Sequence, residues 1–178
     1  TRYESSAASD VYKRQELIVK YDKDYLQMDF PHRNPVCAEL PTNIYESLSI
    51  KPKEILKSRD YVLVYENEDQ IKNIKIDKEL FDKKNIDPGG VVITAKGKNS
   101  DFVSRYFVPQ CSFFEDPVTG STHCSLVPYW SKKLGKQKLT SMQLSERGGE
   151  MFCIDKGDRV LINGKAQTYS VGKVFLKN

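Results

Sequence analysis

No apolar run in this 178-residue sequence is long enough to cross a bilayer, so a membrane-spanning role is not expected. Histidine is nearly absent, with His32 and His123 the only two. Cysteine occurs at 37, 111, 124 and 153, never as a CxxC pair and with nothing before it that reads as a secretory signal. That usage favours reduced thiols and a cytoplasmic chain. Cys111, His123 and Cys124 lack the spacing of a metal-ligand set, so no metal is expected there. A basic stripe is missing too: the 28 lysines and arginines are interleaved with 24 aspartates and glutamates, and the net charge of +4 reads as a solvated surface, not a nucleic-acid face. The length suits one domain, or one and a part, and a hydrophobic content of 39% is enough to bury a core.

The chemistry is concentrated in one stretch, Phe114-Glu115-Asp116-Pro117-Val118-Thr119-Gly120-Ser121-Thr122-His123-Cys124. A helical run, Ser125 to Leu134, follows it and is stopped by Gly135. Gly120 and Ser121 stand where an N-cap belongs, and the N–H groups just past a cap have no carbonyl partner. Those donors, with the positive end of the helix dipole, suit a carboxylate or phosphate. Pro117 fixes its own φ and biases Asp116 toward extended backbone, which holds the carboxylate beside the anion site. A cation-seeking aspartate next to an anion-seeking helix end fits a zwitterionic small molecule. Composition alone leaves a second reading open, a polar loop with an ordinary serine cap.

The words of the motif are more specific than its composition. Glu115-Asp116-Pro117-Val118-Thr119-Gly120-Ser121-Thr122-His123-Cys124 resembles the signature of the phenazine-biosynthesis isomerase-like (PhzF-like) family, relatives of diaminopimelate epimerase. Asp101 to Pro109 is similar to that family's strand before the loop. Pro128-Tyr129-Trp130, Leu134-Gly135-Lys136 and Gln143-Leu144-Ser145-Glu146-Arg147-Gly148-Gly149 are similar to its central helix and following strands. With Met28-Asp29-Phe30-Pro31 and Gly157-Asp158-Arg159-Val160, the resemblance runs from about Glu16 to the C-terminus.

Periodicity places the elements. Strands are expected over Glu16 to Val19, Tyr25 to Phe30, Asp60 to Tyr65, Val91 to Ala95 and Asp101 to Pro109. Pro41 can open a short helix through Leu48, and Asn67 to Lys84 reads as two short surface helices. After the main helix, strands are expected at Leu139 to Leu144, Glu150 to Ile154, Arg159 to Ile162, Ala166 to Val171 and Lys173 to Leu176, with Asn163-Gly164 as a hairpin turn. Pro128 should kink the helix or tighten a turn. The expected fold is α+β, a mostly antiparallel sheet curled around a central helix, which is the half-barrel that the resemblance also implies.

The resemblance implies a cofactor-independent isomerase that moves a proton between carbons of a small amino or hydroxy acid. Asp116 is then the candidate catalytic residue, holding the substrate's amino group, while Gly120, Ser121 and Thr122 bind its carboxylate. Each role has a plainer alternative: Asp116 as a brace of the loop, Ser121 as a cap, Thr122 as a donor to Asp116. His123 reads as a backbone-bonded histidine at the helix start, and His32 as a surface loop residue. At Cys124 the helix dipole would favour the thiolate. A buried, inert core thiol is the stronger reading there.

The relatives open with a half that carries a general acid–base glutamate and a Gly-His-Ala-Thr motif, and neither is in this sequence. The expected organisation is therefore a non-native or disordered leader at 1–15, a remnant of the first half and linker at 16–35, and a C-terminal epimerase-like domain at 36–178. Such a fragment is expected to be inactive alone. The expected partner is a small amino or hydroxy acid, with no nucleic acid and no membrane, and a homodimer is left open. The alternative function is a non-catalytic half-barrel that binds a small carboxylate.

Overall fold

The structure, a computed structural model, describes residues 18–173 apart from Lys23, Asp87 and the side chain of Asp22. In chain order its elements are β1 (Ile18–Asp22), β2 (Tyr25–Pro31), β3 (Val36–Cys37), α1 (Thr42–Ser47), β4 (Glu54–Lys57), β5 (Tyr61–Val64), α2 (Glu68–Asn73), α3 (Lys78–Phe81), β6 (Val91–Lys96), β7 (Phe102–Phe107), β8 (Glu115–Asp116), α4 (His123–Leu134), β9 (Lys138–Gln143), β10 (Gly149–Asp155) and β11 (Arg159–Gly164). The strands join one open sheet in the order β1-β2-β11-β10-β9-β7-β6-β5-β4-β3, with β8 hydrogen-bonded to β7.

Pairing is antiparallel except at β5–β6 and β7–β9. A parallel pair needs a crossover, and these two are spanned by α2–α3 and by α4. The second crossover makes the site. The chain leaves β7, doubles back through β8, passes the motif loop into α4 and returns along β9.

The central strands are apolar throughout because both faces are covered. Val62, Val64, Val92, Phe102 and Tyr106 pack inward on α4, together with Leu139, Met151, Val160 and Ile162 from the later strands. Tyr61, Leu63, Ile93, Val103 and Phe107 point outward and are covered by Ile44 of α1, Ile71 of α2 and Phe81 of α3. Strands from β4 round to β11 thus surround Leu126, Val127 and Trp130, which are all but inaccessible. The Trp130 ring stacks on Phe102, and its Nε1–H donates to Thr94 Oγ1 at 2.9 Å. The α+β sheet curled about a central helix is the fold expected from the pattern.

Both ends of α4 are legible. Gly135 adopts φ 67°, which costs glycine little, and the N–H groups of Gly135 and Lys136 both donate to Ser131 O. At the other end the expected serine cap is absent. Thr122 immediately precedes the helix with φ −66° and ψ −25°, and no side chain caps it. Gly120 to Thr122 is already wound as a tight turn, with His123 N–H on Gly120 O at 3.0 Å and Ser125 N–H on Thr122 O at 3.0 Å, so the extended backbone that a cap requires is missing.

Other expectations are corrected. Asn163 and Gly164 form no turn; they lie in β11 opposite Gln27 and Leu26, because β2 offers that strand a partner. Ala166 to Val171 forms no strand, and among the described residues no strand pairs with it. Strand β4, Glu54–Lys57, is additional to the expected elements. The leader at 1–15, Glu16, Leu17 and residues 174–176 lie outside the described residues. Residues 18–31 are hydrogen-bonded into the same sheet through β11.

Candidate functional site

The motif loop is fixed at almost every residue by groups from neighbouring strands. Glu115 takes a two-point ion pair from Arg105, at 2.7 and 2.8 Å, and Arg105 also donates to Ile71 O. Gln143 of β9, buried to 1% exposure, clamps both ends of the next turn: its amide donates to Asp116 O at 2.6 Å and its carbonyl accepts from Thr119 N–H at 2.7 Å. Ser145 Oγ donates to Pro117 O at 2.6 Å. Val118 closes over Gly149, where a Cβ would come within 2.5 Å of Val118 Cγ2.

Thr119 is the hub of this bracing. Its hydroxyl donates to Asp116 Oδ2 at 2.6 Å, and its carbonyl accepts from Thr122 Oγ1 and from the His123 ring, each at 3.0 Å. The role of holding Asp116, one alternative for Thr122, therefore belongs to Thr119. Thr122 is buried and its hydroxyl is spent on Thr119, which leaves its N–H for any ligand.

The groups left over define the site. Asp116 is half-buried, with Oδ1 unbonded by any described residue. Ser121 is half-buried with its hydroxyl bonded by no described residue, and the N–H groups of Gly120, Ser121 and Thr122 donate to no described group. Gly120 itself has neither a positive φ nor a crowding neighbour; a Cβ there would meet only Met28 Cε, at 3.8 Å. The arrangement offers one carboxylate and a short row of helix-start donors on the same braced turn.

Neither the imidazole nor the nearby thiol is set up to carry protons. Burial pulls the His123 ring down to about 4, so it is neutral at physiological pH. Burial pushes the Cys124 thiol up, against the lowering effect of Arg33, so the thiolate suggested by the helix dipole is not favoured and Cys124 is a core residue. Tyr106 is also driven up by burial and by Asp60, to whose Oδ1 its hydroxyl donates at 2.9 Å. The same Asp60 oxygen accepts from Gly90 N–H, and Gly90 has no room for a side chain, its Cβ position lying 2.6 Å from the Tyr106 hydroxyl. Among the described residues no group of three or more His, Cys, Asp or Glu could hold a metal ion. Two clefts elsewhere, of about 350 Å³ beside Asp29 and Arg159 and about 580 Å³ beside Lys98 and Lys138, include neither Asp116 nor the helix start.

A family model described as phenazine biosynthesis-like protein matches residues 38–172, the whole of this loop included. The chain belongs to that family. An uncharacterised isomerase of Pseudomonas aeruginosa is 41% identical over 161 residues, which cover 90% of this chain and 61% of that protein. One from Halalkalibacterium halodurans is 35% identical over 157 residues, covering 86% and 58%. A PhzF-family crystal structure from Enterococcus faecalis superposes with a TM-score of 0.81 at 35% identity, over 92% of this chain and 63% of that one. A PhzC/PhzF protein of Clostridium difficile gives 0.79 at 38%, over 92% and 62%. This phenazine biosynthesis-like chain thus spans about three fifths of the length of those relatives.

The motif names Asp116 and Gly120 to Thr122, but not Gln143 or the hub role of Thr119 in the candidate site. Gln143 was visible only as a word of the downstream motif. Its partnership with residues 24 and 27 positions away arises from the β7–β9 crossover, which no local pattern announces.

Proposed function

We propose that this chain supplies the substrate-holding part of a cofactor-independent isomerase of the phenazine biosynthesis-like family, which moves a proton within a small amino or hydroxy acid. The observation that carries the reading is the pairing on one rigid turn of Asp116 Oδ1 with the unengaged N–H groups of Gly120, Ser121 and Thr122. The N–H row and the helix dipole receive the substrate's carboxylate, and Asp116 receives its amine. His123 is neutral and Cys124 a core thiol, so neither suits the acid–base that returns the proton, and this reading assigns that group to a part of the protein outside residues 18–173. On this reading the chain alone turns nothing over. The four free cysteines fit a cytoplasmic setting.

A helix-end anion contact is worth about 0.3–1 kcal/mol when exposed and up to about 2 when partly buried, so binding through it is weak, with a Kd of tens of millimolar or above. Titration with L-alanine and propionate, followed by amide NMR, tests the two roles separately. Ser121→Ala should weaken both ligands, whereas Asp116→Asn should weaken alanine and leave propionate nearly unaffected. Shifts that avoid residues 116–124, or equal losses for both variants and both ligands, would remove the site. Exchange of the alanine α-proton with deuterated water, catalysed by this chain, would show instead that it carries its own base.

A further inference from the structure

His123 is completely buried, yet the site makes no chemical use of its ring. Nδ1 lies 3.0 Å from Thr119 O and Nε2 lies 2.8 Å from Ser141 Oγ. A carbonyl only accepts, so Nδ1 carries the proton; a neutral ring has one proton, so Nε2 accepts and the Ser141 hydroxyl donates. Both donors in the row Ser141, His123 point the same way, toward Thr119.

The end of that row matters because of peptide geometry. In a trans peptide the C=O and the following N–H point in opposite directions in one plane. Pulling Thr119 O toward the buried imidazole therefore turns the Gly120 N–H outward, away from the core. The same residue holds Asp116 through its hydroxyl at 2.6 Å. One carbonyl anchor thus orients both halves of the site.

We propose that His123 is a positioning residue, locked as its Nδ1–H tautomer by Ser141, which aims the Gly120 N–H and the Asp116 carboxylate at the ligand through Thr119. The proposal deepens the function given above and rests on it for the ligand. Its own claim concerns a tautomer and a peptide plane, which are measurable without any ligand.

Nitrogen-15 NMR of the imidazole in the native chain reads the tautomer directly. Nδ1 should be protonated and Nε2 bare from pH 6 to 8; a proton on Nε2 overturns the proposal whatever the variants do. An asparagine amide can stand where Nδ1 stands, while a glutamine amide reaches the place of Nε2. His123→Asn should leave the Gly120 amide resonance and its exchange rate near native and hold the propionate Kd within about threefold. His123→Gln should shift that resonance and weaken propionate about tenfold, the loss of one buried hydrogen bond. Equal displacement of Gly120 in both variants would make His123 a packing residue and overturn the proposal. If native protein binds no propionate, the ligand reading fails alone, and the tautomer and the Gly120 amide still decide the role of His123.

Discussion

The backbone N–H of Arg33 donates to the carbonyl oxygen of Cys124 at 2.8 Å. Inside α4 that carbonyl would belong to the N–H of residue 128, and Pro128 has none. A proline costs about 3 kcal/mol in an exposed helix interior. Here the freed acceptor lies on a buried face and ties the chain leaving β2 to the helix. Pro128 is thus both a defect of α4 and the source of the free carbonyl that Arg33 uses.

Pro128→Ala returns an N–H to the helix, and it should compete with Arg33 for Cys124 O. The helix gains what the segment loses, so global stability should change by no more than about 1 kcal/mol. Hydrogen exchange at the Arg33 amide should quicken about tenfold, equivalent to about 1.4 kcal/mol of local opening. An unchanged Arg33 amide would show that the segment is held by other contacts.

Gly149 is required by Val118. A methyl at 149 would overlap Val118 Cγ2 at 2.5 Å, so Gly149→Ala should lose about 1–3 kcal/mol by overpacking. Val118→Ala removes the obstacle. The double variant should be more stable than Gly149→Ala alone, and additive losses in thermal unfolding would contradict the steric account.

How much of this was legible follows from which contacts are local. The covered strands β5, β6 and β7 announce themselves as apolar runs, and Gly135 marks the end of α4, because burial and chain stop are written in single residues. Strand β4 is short and half charged, and its pairing depends on β3 and β5, so Glu54 to Lys57 carries little signal of its own. Asn163-Gly164 has the composition of a turn, but pairing with β2 overrides it. At the site the motif names Asp116 and the helix start, whereas the cap at Ser121 fails because the first turn is wound too early, and the clamp by Gln143 is a product of topology.

His123 should make stability depend on mild acid. Its unfolded value is near 6.5 and its folded value about 4, so between those limits the unfolded chain takes up a proton that the folded chain refuses. Stability is complete above about pH 6.5 and falls as pH drops toward 4, by up to about 3 kcal/mol at roughly 1.4 kcal/mol per unit. Carboxylates also titrate at the lower end: Lys133 holds Glu54 below its usual range, and at Asp101 burial, which raises the value, is outweighed by Lys136 and Thr140. Subtracting the urea-unfolding profile of His123→Asn isolates the histidine contribution. Parallel profiles for the two proteins between pH 6.5 and 4.5 would refute it.

Gln143 is where fold and site meet most tightly. Its amide group bonds Asp116 O at 2.6 Å and Thr119 N–H at 2.7 Å, so one side chain sets the distance between the carboxylate residue and the hub of the loop. Gln143→Leu keeps the volume but leaves a buried N–H and a buried C=O unpaired, at about 1–3 kcal/mol each, and should lower stability by about 2–4 kcal/mol. Ligand binding separates this from a general weakening. Asp116→Asn should discriminate between L-alanine and propionate, because it alters one charge. Gln143→Leu should weaken both, because it releases the Asp116 backbone and the Thr119–Gly120 peptide together. A Gln143→Leu chain that is less stable but binds both ligands at native strength would show that the turn keeps its shape through Ser145, Arg105 and His123 alone, and that the clamp serves only the fold.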